Sequence, residues 1–132
     1  MKVLVAASVS VAVLALAGCG GGDSNDGADQ QAIESVASQY ASTAADGDFA
    51  ATCKLFTPDS LARIEKLKVF GSCQELMKAG LGSRPEGEIE KLGEISDLQV
   101  DGDTATAQSR GETIKFRKID GEWKLDVSDP GQ

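Results

Sequence analysis

The hydrophobic positions of this 132-residue chain change pattern three times along the sequence. Residues 3–16 are almost all apolar, and residues 20–28 are mostly Gly, Asp, Ser and Asn. From residue 29 apolar side chains recur every three or four positions, which indicates helices with one buried face. From residue 89 they fall into shorter, alternating runs, which indicate strands. Helices followed by strands predict an α+β domain.

The first predicted helix begins at an N-cap, Asp29, and ends near Ala45, before the Asp46-Gly47 pair. Its apolar face consists of Ile33, Val36, Ala37, Tyr40, Ala41 and Ala44. Because the other predicted helices are short, this helix is expected to cover the apolar face of the sheet.

Three shorter helices are predicted to follow. Asp48 caps one that runs through Phe56, and Thr57-Pro58, an N-cap followed by proline, opens the next, which runs to about Lys68. The inward side chains of that third helix are expected to be Leu61, Ile64 and Leu67. A capping box at residues 72–75 starts a fourth helix that Gly80 ends, and residues 82–87 are predicted to form a loop.

Four antiparallel strands complete the predicted fold. Residues 89–100 form the first strand, with a bulge or break near Gly93. Asp-Gly pairs at 101–102 and 120–121 are hairpin turns, which leaves strands at 104–109, 113–119 and 122–127. The inward side chains are expected to be Ile114, Phe116, Trp123, Leu125 and Val127. The prediction is therefore N-terminal helices packed on a curved, cone-like, four-stranded antiparallel sheet.

The apolar segment at the start has the features of an export signal. Lys2 precedes about 14 mostly apolar residues, fewer than the roughly 20 that a membrane span needs. Leu16-Ala17-Gly18-Cys19 then resembles the lipobox of bacterial lipoproteins, whose cysteine receives a diacylglycerol and becomes the mature N-terminus. Two acyl chains give stable anchoring, so the expected location is outside the cytoplasm, attached to the membrane through lipid on Cys19. The alternative is an ordinary signal peptide in which Cys19 is incidental.

Three parts follow from this interpretation. Residues 1–18 are a lipoprotein signal peptide, residues 19–28 are the lipidated cysteine with a flexible tether, and residues 29–132 are one domain. The tether is predicted because its composition cannot bury enough surface to order itself. The remaining segment of about 104 residues is long enough for a single modest core.

Net charge excludes one class of partner. The chain carries −8 at pH 7, and removal of Lys2 with the leader makes the balance more acidic. Nucleic acid is not expected as a partner because its phosphates must be neutralised by Lys and Arg. The acidity also argues against a flat electrostatic contact with anionic lipid.

Positive charge is nevertheless concentrated on the last two predicted strands, at Arg110, Lys115, Arg117, Lys118 and Lys124. We expect these side chains to pair on the solvent face with Glu112, Glu122 and Asp126. A docking patch for an acidic partner or envelope polymer is the alternative.

The other two cysteines, Cys53 and Cys73, are predicted to form a disulfide. Two thiols in an oxidising compartment pair by default, and a redox-active pair normally has Cys-x-x-Cys spacing. Closing a loop of about 20 residues contributes roughly 3 kcal/mol on the chain-entropy estimate.

Five short segments carry a family resemblance: Gln39-Tyr40, GDFAATC at 47–53, LFTP at 55–58, VDGDTA at 100–105 and DGEWKL at 120–125. Their order over about residues 30–127 resembles the nuclear transport factor 2-like (cystatin-like) superfamily of SnoaL-type cyclases and ketosteroid isomerases. It is most similar to small secreted lipoproteins of that superfamily with two cysteines in the helical part. The resemblance implies a cone-like fold, and because enzymes and non-enzymes share this fold it assigns no reaction.

No catalytic constellation is predicted from the sequence. The chain lacks histidine, the commonest general base and metal ligand. No carboxylate falls in the inward register of the predicted strands, and a calcium-loop pattern is missing. A cavity within the cone would be lined by Tyr40, Phe116, Trp123 and Leu125.

The expectation is thus a non-catalytic binding or interaction module without cofactor or metal. Its partner would be an envelope protein or a small apolar ligand. A vestigial or unrecognised enzyme of the cyclase/isomerase type, which would use the cavity, is the alternative.

Overall fold

The computed structural model describes residues 26–129, which form an α+β domain as predicted. Cys19, the predicted leader and the tether up to residue 25 lie outside the described residues. The helices are α1 (Asp26–Ala45), α2 (Phe49–Cys53), α3 (Pro58–Lys66), α4 (Cys73–Leu81) and α5 (Glu86–Glu90), followed by a 3₁₀ turn (Lys91–Gly93). The strands are β1 (Ser96–Asp101), β2 (Thr104–Ser109), β3 (Glu112–Ile119) and β4 (Glu122–Leu125). None of the helices within 26–129 is long and apolar enough to cross a membrane.

Three of the predicted helix caps are confirmed. The Asp48 carboxylate accepts the Ala51 N–H at 3.0 Å, and the Thr57 hydroxyl accepts the Ser60 N–H at 3.2 Å, with proline at the first helical position. At α4 the hydroxyl of Ser72 accepts the N–H three residues later at 3.3 Å. Each side chain satisfies an N–H group that the first turn of a helix leaves without a backbone partner.

The first helix starts earlier than predicted. It begins at Asp26, so residues 26–28 belong to α1 and not to the tether. The prediction of Asp29 as its N-cap is wrong, because Asp29 lies inside the first turn and its carboxylate accepts hydrogen bonds from the sheet.

Three other helix ends also differ from the prediction. Helix α2 ends at Cys53 and does not run through Phe56. Helix α3 stops at Lys66, so Leu67 is 54% exposed and does not point inward. Gly80 lies within α4, which ends at Leu81 with Gly82 as its C-cap.

The segment between α4 and the sheet was predicted wrongly. The sequence predicts a loop at residues 82–87 and a strand at 89–100, but α5 and the 3₁₀ turn occupy residues 86–93. Ile89, which is 5% exposed, packs in a small apolar cluster with Ala44 and Leu81 at the end of α1. Apolar spacing of three residues fits a short helix as well as a broken strand, and packing on α1 selects the helix here.

The sheet is an antiparallel meander in the order β1-β2-β3-β4. Both predicted Asp-Gly hairpin turns are present, with Gly102 and Gly121 in the left-handed region. Residues 55–57 run parallel to the last strand, since Thr57 N–H donates to the Leu125 carbonyl at 2.9 Å and Leu125 N–H donates to the Leu55 carbonyl at 2.7 Å. The start of α3 is thereby fixed against the edge of β4.

The main core lies between α1 and the inner face of the sheet. Ile33 and Phe116 are 0% and 1% exposed, and Trp123 and Leu125 are also buried. The predicted disulfide is confirmed: Cys53 and Cys73 join α2 to the start of α4, with their Cα atoms 6.1 Å apart. That separation is ordinary for a disulfide.

Gly93 packs too closely on α1 to accept a side chain. An added Cβ would lie 2.9 Å from the Ala41 Cβ and 3.1 Å from the Ala37 carbonyl oxygen. We expect Gly93→Ala to lower the free energy of unfolding by roughly 1–3 kcal/mol, the usual cost of overpacking. Gly87→Ala in α5 is the control, because a Cβ there meets nothing within 4 Å. It should be neutral or stabilising by up to about 1 kcal/mol in urea denaturation, and equal losses in both variants would contradict this packing.

Candidate functional site

A cavity of about 420 Å³ opens between α1 and the ends of β3 and β4. Its walls are mainly apolar: Ala37, Tyr40, Phe56, Leu92, Ile114, Phe116, Leu125 and Val127. The polar residues that also line the cavity are Glu112, Thr113, Lys115, Asp126 and Asp129. The volume lies in the range that small-molecule sites in proteins occupy, and an apolar wall with a few polar groups is their usual composition.

Tyr40 lies in this cavity, as predicted from its position on the first helix. Its ring meets the Phe56 ring edge-on, with centroids 6.0 Å apart, a favourable aromatic geometry. Burial raises the pKa of the Tyr40 phenol, and the Arg84 charge offsets this only in part. The phenol is therefore neutral near pH 7 and acts as a hydrogen-bonding group at most.

Phe116 and Leu125 also line the cavity, but Trp123 does not, which corrects that part of the prediction. The indole of Trp123 is 4% exposed and donates its N–H to Asp29 at 2.9 Å. The Lys118 ammonium lies 5.7 Å from the centre of the ring and 2.9 Å from the same carboxylate. Trp123 therefore joins the start of α1 to β3 and β4, and the cavity forms farther along α1.

Asp29 is held ionised by this cluster. Its hydrogen bond from Lys118 contributes most, and the indole N–H of Trp123 adds to it, so that the pKa of Asp29 lies below the ordinary value of 3.8. The carboxylate is only 15% exposed.

The most heavily bonded carboxylate beside the cavity is that of Asp126, which is 7% exposed. Its Oδ2 lies 2.7 Å from a guanidinium nitrogen of Arg117. Its Oδ1 accepts the Ser60 hydroxyl at 3.2 Å and the Ser128 N–H at 3.0 Å, as well as the Ser128 hydroxyl. The Thr57 hydroxyl approaches the same oxygen at 3.4 Å. This network connects the start of α3, β3 and the segment after β4.

Burial alone would raise the pKa of Asp126. The two hydrogen bonds from Ser128, the charge of Arg117 and the hydrogen bond from Ser60 outweigh that effect and lower the pKa below 3.8. A carboxylate whose lone pairs already serve four neighbouring residues is poorly suited to abstract a proton from a substrate.

The prediction that no carboxylate lies in the inward register of the strands is wrong at Glu112, and Asp126 is buried without belonging to that register. Glu112 opens β3 on the same face as Ile114, because strand residues two apart share a face, and it lines the cavity at an exposed position. Asp126 is buried because α3 covers the end of β4, a contact between segments about 66 residues apart. Val127, predicted as an inward strand residue, lies beyond the end of β4 and is 44% exposed.

The predicted pairing of the basic strand residues is correct for only some partners. Arg117 pairs with Asp126 as expected and also with Asp59 at 3.2 Å. Lys124 lies 3.8 Å from Glu122 on its own strand, and Lys115 pairs with Asp129 at 3.2 Å. Among the described residues the ion pairs do not include Glu112.

Within residues 26–129 there is no group of three or more acidic or cysteine side chains arranged to hold a metal ion. Comparisons of the chain with protein-family models, curated proteins and solved structures give no match. The resemblance to the nuclear transport factor 2-like superfamily, and its cone shape, therefore stay predictions from the sequence.

Proposed function

We propose that this chain is an extracytoplasmic lipoprotein, anchored to the bacterial cell membrane through lipid on Cys19, whose domain binds a small apolar ligand without chemical conversion. The observation that carries the binding function is the cavity of about 420 Å³ with its apolar walls. A flat surface would favour an envelope protein as partner, whereas a concave, mainly apolar space of this volume favours a small molecule.

The carboxylates of the site support binding over catalysis. An enzyme of the cyclase/isomerase type needs a base whose pKa lies near the working pH. Burial of a carboxyl group without hydrogen-bonding or charged partners would raise its pKa towards that pH. Asp126 has the opposite environment, because hydrogen bonds and Arg117 lower its pKa. Glu112 is exposed, and Tyr40 alone provides one neutral hydroxyl.

The role of the cavity as a binding site is tested by a substitution that fills it. Ile114→Trp places a larger side chain in the cavity, whereas Ile119→Trp changes the same residue type on the same strand away from it. We expect Ile114→Trp to weaken binding of the fluorescent apolar probe N-phenyl-1-naphthylamine at least about tenfold, a loss of about 1.4 kcal/mol. Ile119→Trp should bind like the parent. Equal affinities in all three proteins would contradict the proposed binding site.

The anchor is tested separately at Cys19. In a bacterial expression host the Cys19→Ser variant should remain an unacylated precursor and lose incorporation of labelled palmitate, while Ser24→Cys with Cys19 retained should be acylated like the parent. Unchanged acylation of Cys19→Ser would refute the lipobox interpretation.

A further inference from the structure

The 66–70 loop, which consists of the last residue of α3 and the four residues after it, exposes apolar side chains to solvent. Leu67 is 54% and Val69 is 72% exposed, and only one other large apolar residue in the described part of the chain, Val127 beside the cavity, is exposed. Two such side chains within three residues form a small apolar projection. Neighbouring exposed apolar side chains offer the kind of surface that a contact with a partner or a membrane buries.

The backbone of this loop does not explain the exposure. Lys68 has a positive φ of 51° and its N–H reaches the Glu65 carbonyl at 3.4 Å, so it occupies the position after a helix end where glycine is usual. In such helix ends an apolar residue at the next position frequently packs back on the helix. Val69 instead points its side chain into solvent, and lysine is present where glycine would cost less.

The charge of the loop is opposite to that of the whole chain. Residues 66–70 contain two lysines, Lys66 and Lys68, and no carboxylate, in a chain with a net charge of −8; the nearest carboxylates in the sequence, Glu65 and Glu75, lie on either side of the loop. Both lysines are exposed. Lysines beside exposed apolar side chains favour a surface that combines negative charge with a hydrocarbon interior, which is the chemistry of an anionic lipid membrane.

Both ends of the loop are fixed to the domain. On one side Arg63 donates to the Ser128 carbonyl at 2.8 Å and the Ser60 hydroxyl accepts the Val127 N–H at 2.8 Å, which hold α3 against the end of the sheet. On the other side the disulfide ties Cys73 to Cys53. The projection is thus held at a defined place and needs no folding step to meet a surface.

We propose that the 66–70 loop inserts Leu67 and Val69 into the headgroup region of an anionic membrane, with Lys66 and Lys68 at the lipid phosphates. The inference rests on the proposed membrane attachment, and it adds a second contact that sets the orientation of the domain. It is compatible with the overall acidity, because the contact is a small insertion and not a flat electrostatic face.

The test measures whether brominated lipid quenches the fluorescence of a tryptophan placed in this loop. Val69→Trp and Thr106→Trp are made in the full chain, the second as a control at an exposed position of β2. The native Trp123 is 4% exposed and provides a constant background. Protein purified from membranes is reconstituted into vesicles of brominated phosphatidylcholine with phosphatidylglycerol. Tryptophan emission at residue 69 should shift to the blue and be quenched by bromine, and emission at residue 106 should not.

Charge variants give the second readout. In the Val69→Trp background, Lys68→Gln should lower the ratio of inserted to free loop by roughly fivefold, the effect of one lysine at an anionic surface. Lys78→Gln removes the same charge from an exposed position of α4 and should leave the ratio unchanged. Equal effects of the two variants would overturn the role of the loop.

Other outcomes are equally decisive. Equal quenching at residues 69 and 106, or none at residue 69, overturns the inference. A blue-shifted residue 69 before lipid is added would mean that protein covers the loop, which also overturns it. The mass of the N-terminal peptide reports separately whether Cys19 is acylated. If it is not, the proposed anchor fails, and the same quenching contrast with vesicles added from outside still decides the loop.

Discussion

Trp123→Ala is expected to lower the free energy of unfolding by about 3–5 kcal/mol, the range for removing a large buried aromatic side chain. The indole is 4% exposed and belongs to the core cluster between α1 and the sheet. Its removal also takes away the N–H donor to Asp29 and the ring beside Lys118. Because small domains are stable by only about 5–15 kcal/mol, this change should be visible as a large shift of the urea midpoint.

Trp123→Phe separates the two contributions. It keeps most of the buried ring and removes the hydrogen bond to Asp29, so the loss should be clearly smaller than for alanine. A loss of under about 1 kcal/mol for Trp123→Ala would mean that the indole is not a core residue.

Asp126→Ala is expected to cost roughly 3 kcal/mol, near the lower end of the range for breaking a buried ion pair. The variant leaves Arg117 without its 2.7 Å partner and removes the common acceptor of Ser60 and Ser128. The cost is limited because the Arg117 side chain is 35% exposed and water reaches part of it.

Asp59→Ala is the matched control for Asp126→Ala. Asp59 pairs with the same arginine at 3.2 Å but is 72% exposed, and exposed ion pairs contribute about 1 kcal/mol or less. Similar losses in the two variants would contradict the buried network.

The network also predicts how stability depends on pH. The pKa of Asp126 in the folded domain lies below the ordinary 3.8, so the folded state binds fewer protons than the unfolded chain in this range. The contribution of Asp126 is therefore complete above about pH 4 and is lost as the pH falls through the folded value. Asp29, whose pKa is also lowered, acts in the same direction. Asp126→Asn should reduce, but not abolish, the acid destabilisation measured by urea denaturation below pH 4.

Local sequence signals were sufficient for much of the fold. Asp48 and Thr57 cap their helices because capping depends on residues two or three positions away, and the Asp-Gly hairpins depend on turn residues alone. The disulfide between Cys53 and Cys73 was predictable because these are the two cysteines besides Cys19, and two thiols in an oxidising compartment pair by default.

Packing between distant segments could not be predicted in the same way. The apolar residues around Ile89 fit either a strand or a short helix, and contact with Ala44 and Leu81 selects the helix. From the sequence Asp126 is a solvent-facing strand residue. In the structure α3 covers it, and this contact with Ser60 joins residues 66 positions apart. Trp123 was correctly predicted to be buried, but its partner Asp29 lies 94 residues away.

A methyl NMR titration with N-phenyl-1-naphthylamine distinguishes binding in the cavity from adsorption elsewhere. If the domain binds small apolar ligands in the cavity, the methyl signals of Leu92, Ile114 and Leu125 shift saturably, while that of Ile119 stays in place. Saturation should be lost in the Ile114→Trp protein. Shifts confined to exposed methyl groups such as those of Val69, or no saturable shift at all, would contradict the proposed function.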